Sequence, residues 1–102
     1  MDKPKRFKRF ESEFPAAAEA YEKLGNELHL SGPLDSKTRA LIKIAISTGA
    51  GLEGALHSHT RKALEAGCSK EEIRHAIMLS VPTIGLPSAM AALSWADDIL
   101  DK

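Results

Sequence analysis

Apolar residues recur at intervals of three and four along this chain of 102 residues, which is the spacing of one face of an α-helix. The first such stripe consists of Phe14, Ala17, Ala18, Tyr21, Leu24 and Leu28. Pro15 stands where the first turn of a helix tolerates proline, and Ser31-Gly32-Pro33 ends the element. The chain nowhere shows the period-two alternation of a half-buried strand. The pattern therefore predicts an all-α protein.

Two more helices are predicted in the middle of the chain. Asp35 offers an N-cap to a helix over residues 36–47, and its LIKIAI segment is apolar on nearly every side. A helix that is apolar all round is buried on more than one side. Gly49 and Gly51 mark a break, and a third helix is expected over residues 52–66.

The last third of the chain contains signals for two further helices. Gly67 is the expected C-terminal stop of the third helix. Ser69 followed by Glu72 is a capping-box pattern that opens a fourth helix. Prolines and glycines then interrupt the chain before a fifth helix over residues 88–100. We expect a compact helical domain of about five to six helices, with residues 1–102 forming a single domain.

The small size of the chain favours self-association. A domain of about 100 residues buries only roughly two-thirds of its unfolded surface, so its core is small. Several predicted helix faces are rich in alanine, which lets helices approach each other closely. Both features predict a homo-oligomer in which subunits complete each other's cores.

Charge is balanced overall but unevenly distributed. The chain has 14 basic and 14 acidic residues, so no net field attracts nucleic acid or an anionic membrane. Basic residues nevertheless crowd residues 1–11, which we interpret as a solvated basic N-terminal arm. No apolar run approaches the roughly 18 residues of a membrane span, and no signal-peptide pattern precedes the chain. We expect a cytoplasmic protein without nucleic-acid or membrane partners.

Metal and disulfide chemistry find little support in the sequence. Cys68 is the single cysteine, which excludes an intramolecular disulfide and a multi-cysteine zinc site. His57 and His59 lie about 200° apart on a helix, so they cannot bind one metal ion together. We therefore predict no metal site.

The two histidines differ in their helical surroundings. His57 shares a polar flank with Glu53 and Arg61, at intervals of four residues. His59 falls in the middle of the apolar stripe, where an imidazole must be hydrogen-bonded or must line a cavity. Burial tends to lower the pKa of histidine, which leaves a neutral imidazole able to act as a base. A structural core histidine and a catalytic acid/base both fit this position.

Three segments follow one another at characteristic spacings over residues 34–100: LDSKTRALIKIAI, SHTRKALEAGCSKEEI and GLPSAMAAL. In the order and spacing of these segments, the chain from Leu34 onward resembles the carboxymuconolactone decarboxylase family, which includes the alkylhydroperoxidase D-like proteins. The resemblance implies an all-α fold in which helices of neighbouring subunits pack together, commonly as trimers or hexamers.

The redox branch of this family uses a CxxC pair followed four residues later by a histidine, with a glutamate on the preceding helix. Aligned through His59, the two cysteine positions fall on Leu52 and Ala55, and the glutamate position falls on Ala40. A dithiol mechanism needs both thiols, so we expect no dithiol peroxidase activity. A thiol-dependent reaction at Cys68 is the third-ranked interpretation, since the start of the following helix would lower its pKa. For Cys68 itself the sequence favours an inert small residue in a tight connection.

The decarboxylase branch resembles the chain more closely, through the pattern SHxRxALxxGCSxxEI and a later GxPxAxxA. The resemblance implies cofactor-independent acid/base chemistry on a small organic acid or lactone, with His59 as proton donor or acceptor. Arg39 and Arg61 are the nearest candidates to bind a substrate carboxylate. The alternative is a non-catalytic helical oligomer that has kept the fold and lost the chemistry.

Overall fold

A computed structural model describes residues 3–102, and every regular element within that range is a helix. The helices are α1 (Lys5–Glu13), α2 (Pro15–Leu30), α3 (Ser36–Ala50), α4 (Glu53–Glu65), α5 (Lys70–Met78), α6 (Val81–Ile84) and α7 (Leu86–Leu100). The all-α prediction is confirmed. The helices form two compact units, which divide between Leu34 and Asp35. No helix within residues 3–102 is both long and apolar enough to cross a membrane.

The N-terminal unit consists of α1 and α2. Much of the segment predicted as a basic arm, residues 1–11, is the helix α1. The ring of Phe10 lies 6.0 Å from that of Phe7 and 6.2 Å from that of Phe14, measured between centroids. Pro15 begins α2, as its place in the sequence predicts. These ring contacts run from α1 to Phe14, the residue between the two helices.

The apolar stripe predicted for the first segment lies on α2, but most of it is exposed in the single chain. Ala18 is the one buried residue of α2. The larger members of the stripe are exposed by more than half: Phe14, Tyr21, Leu24 and Leu28. A helix with this pattern normally buries such a face against a neighbour.

The C-terminal unit is built around one hydrophobic core. Helices α3, α4, α5 and α7 contribute its buried residues, which are Ala40, Ile44, Leu56, Ala63, Cys68, Ile73, Ile77, Ala92 and Ala96. Two ion pairs, Lys70 with Asp101 and Arg74 with Asp97, join α5 to α7 and show that these helices run antiparallel. The alanines of α7 allow the helix to pack closely against α4 and α5.

Local sequence signals determine where the helices of this unit begin. The Asp35 carboxylate accepts a hydrogen bond from the Thr38 N–H at 2.8 Å and caps α3. The capping box at α5 is confirmed, because the Glu72 N–H donates to the Ser69 hydroxyl and the Ser69 N–H donates to the Glu72 carboxylate. Gly49 does not break α3, which continues to Ala50, and the positive φ of 67° falls on Gly51 instead.

The end of α4 is a Schellman motif. Gly67 has a φ of 93°, a conformation that favours glycine. Its N–H donates to the Leu64 carbonyl at 3.1 Å, and the Cys68 N–H donates to the Ala63 carbonyl at 2.9 Å. This pair of bonds confirms Gly67 as the stop signal and turns Cys68 back towards the core.

Candidate functional site

Helices α3 and α4 position the histidine that the sequence singles out. The short connection at Gly51 and Leu52 folds the two helices into an antiparallel pair, and they pack against each other. His59 lies near the middle of α4 and is half-buried. Its ring therefore belongs neither to the sealed core nor to the open surface.

Three basic side chains of α3 and α4 lie near one another. Arg39 and Lys43 lie one turn apart on α3 and are half-buried, and Lys62 is exposed on α4. Burial lowers the pKa of the Lys43 ammonium, and the positive charges of Lys62 and Arg39 lower it further. We call Arg39, Lys43 and Lys62 the cationic cluster. Positively charged side chains are the usual protein ligands of a carboxylate, so the cluster has the charge that such a ligand requires.

His59 is on the same side of α4 as part of this cluster. Lys62 follows His59 by three residues, which places the two side chains about 60° apart around the helix. Sequence analysis identified Arg39 but missed Lys43 and Lys62. The four-residue spacing of Arg39 and Lys43 on α3 was the available signal.

Arg61 does not join His59. The two residues lie about 200° apart around α4, so one small ligand within a single chain cannot contact both. Arg61 lies one turn after His57, on the flank that approaches α7. Its Nη1 is buried and has no hydrogen-bond partner among residues 3–102. The two residues predicted to bind a substrate carboxylate thus lie on different elements: Arg39 belongs to the cationic cluster on α3, and Arg61 to the flank of α4 that approaches α7.

The polar flank of α4 contacts an acidic residue of α7 that sequence analysis missed. His57 Nε2 lies 3.0 Å from Asp98 Oδ2 of α7. Glu53, one turn before His57, brings its carboxylate to the same place, and the three ligand atoms lie within 4.8 Å of one another. We call Glu53, His57 and Asp98 the α4–α7 triad. Its third member is remote in sequence, so helical spacing alone could not find it.

Cys68 is buried, with 4% of its surface exposed. Burial raises the pKa of its thiol, and the negative charge of Glu72 raises it further. The nearby start of α5 therefore does not produce the lowered pKa that the sequence suggested. The Sγ lies 3.7 Å from the Lys37 carbonyl, and a protonated thiol can donate to that oxygen. These surroundings favour an unreactive thiol.

An open groove of about 590 Å³ lies between α3, α5 and α6. Its lining is mostly apolar, and its polar side chains are Thr38, Glu72, His75, Ser80 and Thr83. His59 is not among the lining residues, so the groove and the cationic cluster are separate features of one chain. His75 is exposed on α5 and was not singled out in the sequence, where it has no distinctive neighbours.

Comparison with known proteins places the chain in a family. The family model described as the carboxymuconolactone decarboxylase family matches residues 15–98. The chain belongs to the carboxymuconolactone decarboxylase family. The match also extends to α2, which lies before the segment from Leu34 onward that carried the resemblance.

Individual relatives agree with this assignment. A 4-carboxymuconolactone decarboxylase from Acinetobacter baylyi is 32% identical over 66 residues, or 65% of this chain and 49% of that protein. The chain thus spans about half the length of this carboxymuconolactone decarboxylase. The crystal structure of a family protein from Legionella pneumophila, in its apo form, superimposes with a TM-score of 0.77 and covers 93% of this chain and 88% of that one. Its 23% identity supports the fold alone.

Proposed function

We propose that this protein catalyses cofactor-independent acid/base chemistry on a small organic acid or lactone, with His59 as proton donor or acceptor. The observation that carries the proposal is the cationic cluster of Arg39, Lys43 and Lys62, in which burial and then the neighbouring positive charges lower the pKa of Lys43. Membership of the decarboxylase family supports the reaction class. A carboxylate substrate would bind the cluster and present its reacting carbon to the imidazole.

Decarboxylation of a β,γ-unsaturated lactone needs two contributions from the protein. When the bond to the departing carboxylate breaks, its electron pair remains on carbon as an enolate-like carbanion, which positive charge stabilises. The carbanion then takes a proton, which His59 would supply. The cluster would serve the first requirement and His59 the second. No step in this scheme requires a cofactor.

We also propose that the active form is a homo-oligomer, either a trimer or a hexamer. Large apolar side chains are exposed on both units of the single chain, among them Leu28 on α2 and Ile46 on α3. Exposed apolar surface of this extent marks an interaction site. Because His59 is only half-buried, a neighbouring subunit would complete the enclosure around it.

The variant His59→Gln tests the acid/base role. The assay follows the loss of 4-carboxymuconolactone and the release of carbon dioxide by the wild-type chain, since a relative is named for that substrate. Removing the proton donor should lower kcat by about 100-fold or more. The control His75→Gln changes an exposed histidine on α5 and should leave kcat unchanged. Full activity of His59→Gln would refute the role of His59.

The variant Lys43→Gln tests the cluster separately. Loss of one cation should raise KM for a carboxylate substrate, while Lys8→Gln, an exposed cation on α1, should not. A wild-type chain that turns over no lactone or organic acid would support the alternative, a non-catalytic oligomer. The residues Leu52 and Ala55, at the cysteine positions of the redox branch, and Ala40, at its glutamate position, fit that alternative as well.

A further inference from the structure

The α4–α7 triad combines three metal-binding side chains from two helices. Glu53 and His57 are four residues apart on α4, so both side chains project from the same flank one turn apart. Asp98 reaches the same point from α7, where its Oδ2 lies 3.0 Å from His57 Nε2. Because α4 and α7 pack against each other in the core, the fold determines the backbone positions of the three residues.

The distances suit a metal ion after small side-chain rotations. All three ligand atoms lie within 4.8 Å of one another. Ligand atoms at about 2.0–2.2 Å from a central Zn²⁺ are separated by somewhat less than this, so a modest approach completes the site. Glu53 and Asp98 are exposed and His57 is half-buried, so the side chains that must move most are the freest to do so.

We propose that Glu53, His57 and Asp98 form a binding site for a divalent transition-metal ion. One imidazole and two carboxylates suit Zn²⁺, Mn²⁺, Fe²⁺ or Co²⁺ better than Mg²⁺ or Ca²⁺, which prefer oxygen ligands alone. Three protein ligands leave at least one coordination position to water. The expectation of no metal site rests on the single cysteine and on two histidines of one helix, and Asp98 of α7 is the residue that changes it. The site is independent of the chemistry proposed at His59.

Titration of the full, tag-free chain with Zn²⁺ in a calorimeter tests the proposal. We expect one Zn²⁺ per chain in the wild type and a loss of affinity of roughly 10-fold or more in His57→Gln and in Glu53→Gln. The control His75→Gln should bind as the wild type does. Circular dichroism of each variant establishes that its helices are intact, since both substituted side chains lie at least partly in solvent.

A second metal identifies the ligands directly. Co²⁺ bound to the triad should give ligand-field absorption without the strong near-ultraviolet band of a cobalt–thiolate bond. A thiolate band would place the ion at Cys68 and overturn the proposal. Absence of Zn²⁺ binding to the folded wild-type chain, or binding that His57→Gln and Glu53→Gln leave unchanged, would overturn it equally.

Discussion

Lys43 shows how the chemistry of a single side chain depends on residues that the sequence does not place beside it. On α3 it belongs to the largely apolar LIKIAI segment, where the pattern indicates burial rather than charge recognition. In the folded chain burial lowers the pKa of Lys43, and the positive charges of Lys62 on α4 and of Arg39 lower it further. The cluster thus depends on packing between two helices, whereas the position of His59 on α4 was predicted from periodicity.

Cys68 permits a prediction about reactivity. Burial and the charge of Glu72 raise the pKa of the thiol, so the thiolate fraction at neutral pH is small. We expect iodoacetamide at pH 7.5 to label the native protein about tenfold more slowly, or slower still, than glutathione or the same chain in urea. Mass spectrometry of quenched samples gives the rate. Native labelling as fast as that of glutathione would restore the Cys68 redox hypothesis.

At the level of whole helices, the best predictions came from capping residues. Asp35, Ser69 and Gly67 each act at the helix end where the sequence placed them. The short helix α6 was not predicted because its four residues lie within a stretch rich in proline and glycine. The helix α7 begins at Leu86, two residues before the predicted start. The prediction placed the start after Pro87, but the first turn of a helix tolerates proline.

The capping box of α5 makes the stability of the protein depend on pH. Hydrogen bonding to the Ser69 N–H, and then to Lys37, lowers the pKa of Glu72 below its usual 4.5. A lowered pKa in the folded state contributes stability above the unfolded pKa, and this contribution disappears as the pH falls through the folded value. We expect Glu72→Gln to be less stable than the wild type at pH 7 and to approach it at pH 3.

Urea unfolding at both pH values measures this effect. Glu71→Gln is the matched control, because Glu71 is the neighbouring acidic residue in the same helical turn and is exposed. Its difference from the wild type should depend less on pH. If Glu72→Gln were equally destabilised at pH 7 and pH 3, its carboxylate charge would have no part in the cap.

For the whole molecule, the division of apolar residues between core and surface was only partly predictable. Helical periodicity predicted burial of the LIKIAI segment, and its Ile44 is buried in the C-terminal unit. The same periodicity marks Tyr21 and Leu28, which are more than half exposed in one chain. A hydrophobic pattern predicts that a helix face is buried, but it does not say whether the face packs against the same chain or against another subunit.

The exposed apolar face of α2 therefore predicts that the protein self-associates. Leu28 is 62% exposed on the apolar stripe of α2, and Lys23 lies about 140° away around the same helix. A charge placed in a covered apolar face must lose its hydration, whereas the same charge on a solvated face does not. We expect the wild-type chain to have a mass of three or six subunits in solution. Leu28→Asp should reduce that mass, and Lys23→Asp should leave it unchanged.

Size-exclusion chromatography with light scattering, over a range of protein concentrations, measures these masses. Circular dichroism distinguishes dissociation from unfolding, because α2 keeps its helical signal in a dissociated but folded chain. A wild-type protein that remains monomeric at every concentration would refute the proposed oligomer. An oligomer that Leu28→Asp and Lys23→Asp leave equally intact would show that subunits meet through another apolar face, such as that of Ile46 on α3.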